Sequence, residues 1–129
     1  MDFTDKKRRD LEFGLWAEKL ASEYYTSQGY AILERNWTVE GKSKIEIDII
    51  ARTGNIVAFV EVKARRGDAE DPVAAVGKDK MRRMARGADI YLKTLCGDVE
   101  YRYDIFAVTG TQTDYKVEVI QDAFLSPLM

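Results

Sequence analysis

The chain has no histidine and a single cysteine, Cys96, in 129 residues. The first absence removes Ser-His-Asp and Cys-His catalysis, imidazole bases and His-ligated zinc. The second removes intrachain disulfides and thiolate-clustered metals. Cys96 follows an apolar helical segment and is expected to be a buried or half-buried thiol without a base to activate it. There are only two prolines, and no apolar run approaches the roughly 20 residues a membrane span needs. Met1–Asp10 has a basic run with no apolar segment behind it, which argues against a secretory signal. The expectation is one cytoplasmic domain over 1–129, with a core from about 11 to 120 and a tail at 121–129. What remains for chemistry is carboxylate, lysine and oxygen-ligand chemistry.

Charge is plentiful but unevenly placed. The formal net charge is −2, yet nine Lys/Arg against five acids fall between Lys63 and Lys93, and Lys6-Lys7-Arg8-Arg9 forms a second basic run. A locally basic surface on an acidic protein can hold a polyanion, or can be a solvated face.

Hydrophobic periodicity gives the order α-β-β-β-α-β-β. A helix over Thr4–Ser27 is capped by Gly29, and a strand follows over Tyr30–Val39. Glu40-Gly41-Lys42-Ser43 reads as a turn. Two strong strands, Lys44–Arg52 and Ile56–Arg65, flank Thr53-Gly54-Asn55. A polar loop runs from Arg66 to Pro72. Val73–Leu95 reads as helical, at least from Lys78, with Met81, Met84, Ala85, Ala88 and Leu92 on its apolar stripe. Strands at Tyr101–Val108 and Tyr115–Ile120 complete the pattern. That order is neither a regular βαβ winding nor all-β, so an α/β fold with a mixed sheet flanked by helices is expected.

The two central strands carry the chemistry. A two-residue primed turn at Gly54-Asn55 pairs Thr53 with Ile56, then Ile50 with Phe59, Asp48 with Glu61 and Glu46 with Lys63. Strand period puts Glu46, Asp48 and Ile50 on one face and Ile45, Ile47 and Ile49 on the other. On the second strand Val57, Phe59, Glu61 and Lys63 share a face opposite Ala58, Val60 and Val62. Two opposed carboxylates repel each other, and a hard cation such as Mg²⁺, with Mn²⁺ as a substitute, relieves that. The alternative is that Glu46 and Asp48 line an ordinary solvated face. Glu18 lies beside the small and apolar stripe of the first helix, where Gly14 is expected to let the helix approach the sheet closely.

With these residues in place, the chain resembles a known pattern. Asp48, then twelve residues, then Glu61-Val62-Lys63 resembles the D…(E/D)xK signature of the PD-(D/E)xK nucleases. The wider set is more specific: Gly14-x-x-Ala17-Glu18-x-x-Ala21, Gln28-Gly29-Tyr30, Arg35-Asn36-Trp37, Glu46-Ile47-Asp48, Phe59-Val60-Glu61-Val62-Lys63, Lys80 and Arg102-Tyr103-Asp104. Together they resemble the YraN-like family of predicted endonucleases, distantly similar to archaeal Holliday junction resolvases. Ala17, Ile45 and Ala64 depart from it, standing where that family usually has Gly, Gly and Thr.

The resemblance implies a restriction-endonuclease-like core and a metal-dependent endonuclease acting on DNA, in branched or structured form by analogy. It implies Asp48 and Glu61 as metal ligands with the Val62 carbonyl as a third, Lys63 as the catalytic lysine, and Glu18 as the helix carboxylate of the site. Arg65, Lys80 and Arg82 are candidates for phosphate contacts, and a small domain of this kind suits a homodimer. The competing readings are an inactive nucleic-acid-binding module and a partner-binding protein on a nuclease fold.

Overall fold

A computed structural model describes residues 3–41, 44–67 and 71–124. The expected turn residues Lys42 and Ser43, part of the loop before Pro72, and the tail at 125–129 lie outside the described residues. The elements are α1 (Phe3–Ser27), β1 (Ala31–Val39), β2 (Ile45–Thr53), β3 (Ile56–Arg66), α2 (Pro72–Ala75), α3 (Lys78–Leu92), β4 (Glu100–Gly110) and β5 (Tyr115–Ile120). The strands form one sheet in the order β1-β2-β3-β4-β5. Among the described strands only β3 and β4 pair in parallel, and α2 and α3 lie between them in the chain. The chain thus has the expected α/β class, a mixed sheet flanked by helices.

Two apolar layers hold the sheet between helices. Phe13, Ala17, Ala21 and Tyr25 of α1 pack on Ile49, Ala51, Ala58, Val60, Phe106 and Val108. Met84, Ala85, Ala88 and Tyr91 of α3 pack on Ile47, Ile50, Val57, Phe59 and Tyr103 across the sheet. β3 is covered on both sides, so its run Ile56–Val60 cannot alternate apolar with polar.

Some expectations need correction. The segment read as one helix from Val73 is two, because Val76 is extended and Gly77 (ψ 164°) restarts the chain as the cap of α3. Asp71 caps α2 by accepting from the Val73 N–H at 3.0 Å. α3 ends at Leu92, and its buried face includes Gly87 and Tyr91. Cys96, expected at least half-buried, is exposed just past that helix end. No helix among the described residues is long and apolar enough to cross a membrane.

The close approach expected at Gly14 occurs at Gly87 of α3 instead. A Cβ built on Gly14 would meet no atom within 4 Å, so close approach is not its function. At Gly87 it would fall 2.8 Å from Ile45 Cγ2 and 3.1 Å from Ile47 Cδ1. Gly14→Ala should therefore add about 1 kcal/mol of stability through helix propensity. Gly87→Ala should lose about 1 kcal/mol, because crowding of about 1–3 kcal/mol outweighs the same propensity gain. Urea midpoints of the two variants should move in opposite directions.

Candidate active site

The β2–β3 hairpin closes as the sequence requires. Its register runs Thr53↔Ile56, Arg52↔Val57, Ala51↔Ala58, Ile50↔Phe59 and Ile49↔Val60. Gly54 has φ +56°, while Asn55 is not among the positive-φ residues. Glycine alone at positive φ in the first turn position is the pattern of a II′ turn.

The ladder does not continue to the pair expected next. Beyond Ile49↔Val60 the Asp48 side chain takes over: its Oδ2 accepts from the Val62 N–H at 2.8 Å. The strict alternation along β2 also fails here. Ile47 and Ile50 both face α3, while Ile49 packs under α1. Asp48 and Ile49 therefore fall on the same side, and Asp48 lines a cavity with Glu18 of α1. Opposite this break stands Asn36 of β1, between the pairs Arg35↔Ile49 and Trp37↔Ile47, with φ +50°. Asn is one of the few residue types that adopt this conformation readily.

Glu61 leaves β3 on the other side, as its neighbours Val60 and Val62 dictate. It lies in register with Ile105 and comes within 3.3 Å of Lys80 Nζ on α3 through its Oε2. Asp48 and Glu61 are thus not a directly opposed pair on one face. They meet because β2 and β3 have parted, and both line one cavity with Glu18, Glu46 and Gly14.

The electrostatics show the cost of this meeting. Glu61 is only 8% exposed. Burial first, and the Asp48 charge second, push its carboxyl up to about 7, against the pull of Lys80 and Lys63. Burial also raises Asp48, although the Val62 N–H and the Lys80 and Lys63 charges oppose the shift. Glu18 is raised by burial and then by Asp48 and Glu46. Glu61 Oε2 is buried, and the Lys80 ammonium at 3.3 Å is the charge that offsets it.

A divalent cation fits this arrangement. The groups at hand are hard oxygens, and the Glu61 and Asp48 carboxylates are both held in a site that raises them. Among the described residues no three Asp, Glu, His or Cys side chains are grouped so as to hold an ion by themselves. Main-chain oxygen and water would have to fill the remaining positions around such an ion, as suits Mg²⁺, which keeps several waters. The Val62 main chain stands at this spot, held by Asp48.

The other residues singled out from sequence separate into two groups. Lys63 is half-buried on β3, and its charge acts on both carboxylates. Lys80, expected as a phosphate contact, instead turns inward to Glu61. Arg82 lies on the surface of α3, 3.4 Å from Asp79. Arg65 is exposed on β3 and lines a neighbouring cavity with Lys6 and Arg66. Sequence reasoning gave no role to Asn36 or to the inward turn of Lys80. The signals present were an Asn in mid-strand and a lysine in the first turn of a helix.

Arg102 and Asp104 belong to a different structure. Asp104 is fully buried and accepts from Tyr25 Oη at 2.7 Å, from Arg102 Nε at 2.8 Å and from the Asp122 N–H at 3.1 Å. Arg102 also donates to the Tyr30 hydroxyl. This clamp joins α1, β4 and the turn after β5, with Asp104 in register with Val60 of β3.

Comparison with known proteins agrees with the pattern of residues. The model of a family described as "Uncharacterised protein family UPF0102" matches residues 17–108, which contain Glu18, Asp48, Glu61, Lys63 and Lys80. A UPF0102 protein of Syntrophus aciditrophicus is 40% identical over 118 residues, covering 90% of this chain and 91% of its own. One from Phocaeicola vulgatus is 36% identical over 121 residues, covering 91% and 95%. One from Flavobacterium psychrophilum is 38% identical over 114 residues, covering 88% and 93%. None of these names states an activity. The chain belongs to the UPF0102 family, to which its YraN-like residues pointed.

Proposed function

We propose that this protein is a metal-dependent nuclease that hydrolyses phosphodiester bonds, with DNA as its substrate. The observation that carries the reading is the buried Glu61 carboxylate, offset by Lys80 alone, beside Asp48, where two strands part around a space lined by carboxylates. A fold that spends stability to hold acids together needs a ligand that recovers it.

Asp48 and Glu61 would hold Mg²⁺, or Mn²⁺ in its place, with the Val62 carbonyl as a third protein oxygen. Bound there, the ion would polarise a phosphate oxygen and acidify a water. Asp48 also sets the position of the β3 main chain through the Val62 N–H. Lys63, on the same strand two residues from Glu61, would orient the attacking water or stabilise charge on the phosphate in the transition state. Glu18 closes the site from α1 and would take or relay a proton through water. Arg65 and Arg82 would contact the phosphate backbone.

The test is cleavage of labelled DNA in Mg²⁺ or Mn²⁺. Lys63→Ala should lower the rate at least about 100-fold, in the range for removing one electrostatic group, with folding and Mn²⁺ affinity retained. Cutting at the wild-type rate by that variant, or no cutting by the wild type, contradicts the proposal.

A further inference from the structure

Three cavities lie end to end along α1. The central one, at the carboxylates, shares Leu15, Glu18, Asn36 and Asp48 with the cavity on one side. It shares Asp10 and Ala64 with the cavity on the other. Together they make one groove. Its helix wall is the i, i+4 row Lys6, Asp10, Gly14, Glu18 and Ser22, and its floor crosses the last half of β3, the first half of β2 and the middle of β1. At 1.5 Å per residue the row is about 25 Å long.

The groove is charged in bands. Arg65, Arg66 and Lys6 mark one end, although Asp10 pairs with Lys6 at 2.9 Å and with Arg66 at 3.2 Å. Carboxylates fill the middle. Lys19 and Arg35, with Glu23 among them, mark the far end. Leu11 and Leu15, 65% and 58% exposed, edge the middle section. Gly14 faces open space there.

We infer that the occupant of this groove is an unpaired strand of nucleic acid, running along α1 and crossing Gly14 above the metal position. This rests on the nuclease reading and narrows its substrate. A paired duplex presents its phosphates on a convex surface, whereas Glu61 is almost wholly buried at the floor of the groove, beside Lys80 of α3. A strand freed from pairing can enter, place phosphates at the cationic ends and turn bases toward the exposed leucines. The length suits about seven nucleotides at 3.4 Å each, and fewer if they are extended. The missing side chain of Gly14 keeps the passage open.

The experiment measures anisotropy of a fluorescent 10-nucleotide strand in Mg²⁺ with the Lys63→Ala protein. The unpaired strand, as DNA and as RNA, is compared with the same DNA strand in a blunt duplex. The unpaired strand should bind at least tenfold tighter. Adding Gly14→Trp should weaken that binding at least tenfold while Mn²⁺ affinity holds. Arg66→Glu, at an exposed position, should weaken it severalfold and flatten its salt dependence, which keeps the test valid if the tryptophan variant fails to fold. Equal or tighter duplex binding, with DNA still cut by the wild type, overturns the strand assignment and leaves the nuclease intact. Failure to bind or cut any nucleic acid overturns both.

Discussion

Glu61→Gln should make the metal-free protein more stable and at the same time abolish its chemistry. The folded chain holds the Glu61 carboxyl at about 7, against an ordinary value of 4.5. Between those values the folded state binds more protons than the unfolded one, so stability falls as pH rises through the window. Above pH 7 the full penalty applies. A shift of this size corresponds to on the order of 3 kcal/mol, and the upward shifts of Asp48 and Glu18 act in the same direction. The amide keeps the shape without the charge, but it gives up attraction to Lys80. The expected net gain at pH 8 is therefore about 1–3 kcal/mol in denaturant unfolding without metal, vanishing near pH 4. Saturating Mn²⁺ should stabilise the wild type at pH 8 and leave the variant unchanged, by linkage to binding. Cleavage should fall at least about 1,000-fold. A variant that is less stable at pH 8 than the wild type would show that the strain assigned to this carboxylate is absent.

Asp104→Ala should be the most damaging single change outside the site. It leaves the buried Tyr25 hydroxyl without its acceptor and the Arg102 guanidinium without its carboxylate, with the Tyr30 hydroxyl still accepting from it. It also frees the Asp122 N–H that anchors the turn after β5. Breaking a buried, hydrogen-bonded charge pair from one side costs about 3–5 kcal/mol, a large share of a small domain's stability. Tyr25→Phe removes one hydrogen bond and should cost about 1–2 kcal/mol. Because both act on one network, the double variant should lose less than the sum of the two, as chemical denaturation can measure. Strict additivity would mean that Tyr25 and Asp104 do not act together.

The sheet and its central hairpin were legible because their signals are local. Gly54-Asn55 set the register from Thr53↔Ile56 to Ile49↔Val60, and the long apolar run of β3 marked a strand buried on both faces. The same burial hid the irregularity that makes the site. Isoleucine stands at 45, 47, 49 and 50, so the pattern cannot show that Asp48 and Ile49 share a side. The expectation of two carboxylates on one face assumed an unbroken ladder, whereas an Asp side chain replaces it. Close packing was equally hard to assign. Gly14 and Gly87 look alike in sequence, and only the positions of Ile45 and Ile47 give the second one its role. Lys80 resembled its basic neighbours, but the first turn of α3 is where a side chain can reach across to Glu61. Asn36 is explained by the backbone conformation opposite Asp48, which no periodicity encodes.

The most direct test is a crystal of the wild-type protein soaked in Mn²⁺ near neutral pH and measured at the manganese absorption edge. The expected result is an anomalous peak within coordination distance of one oxygen each from Asp48 and Glu61, with Lys80 drawn back. A cleft that holds no ion at millimolar Mn²⁺, with Lys80 still against Glu61, would contradict the account.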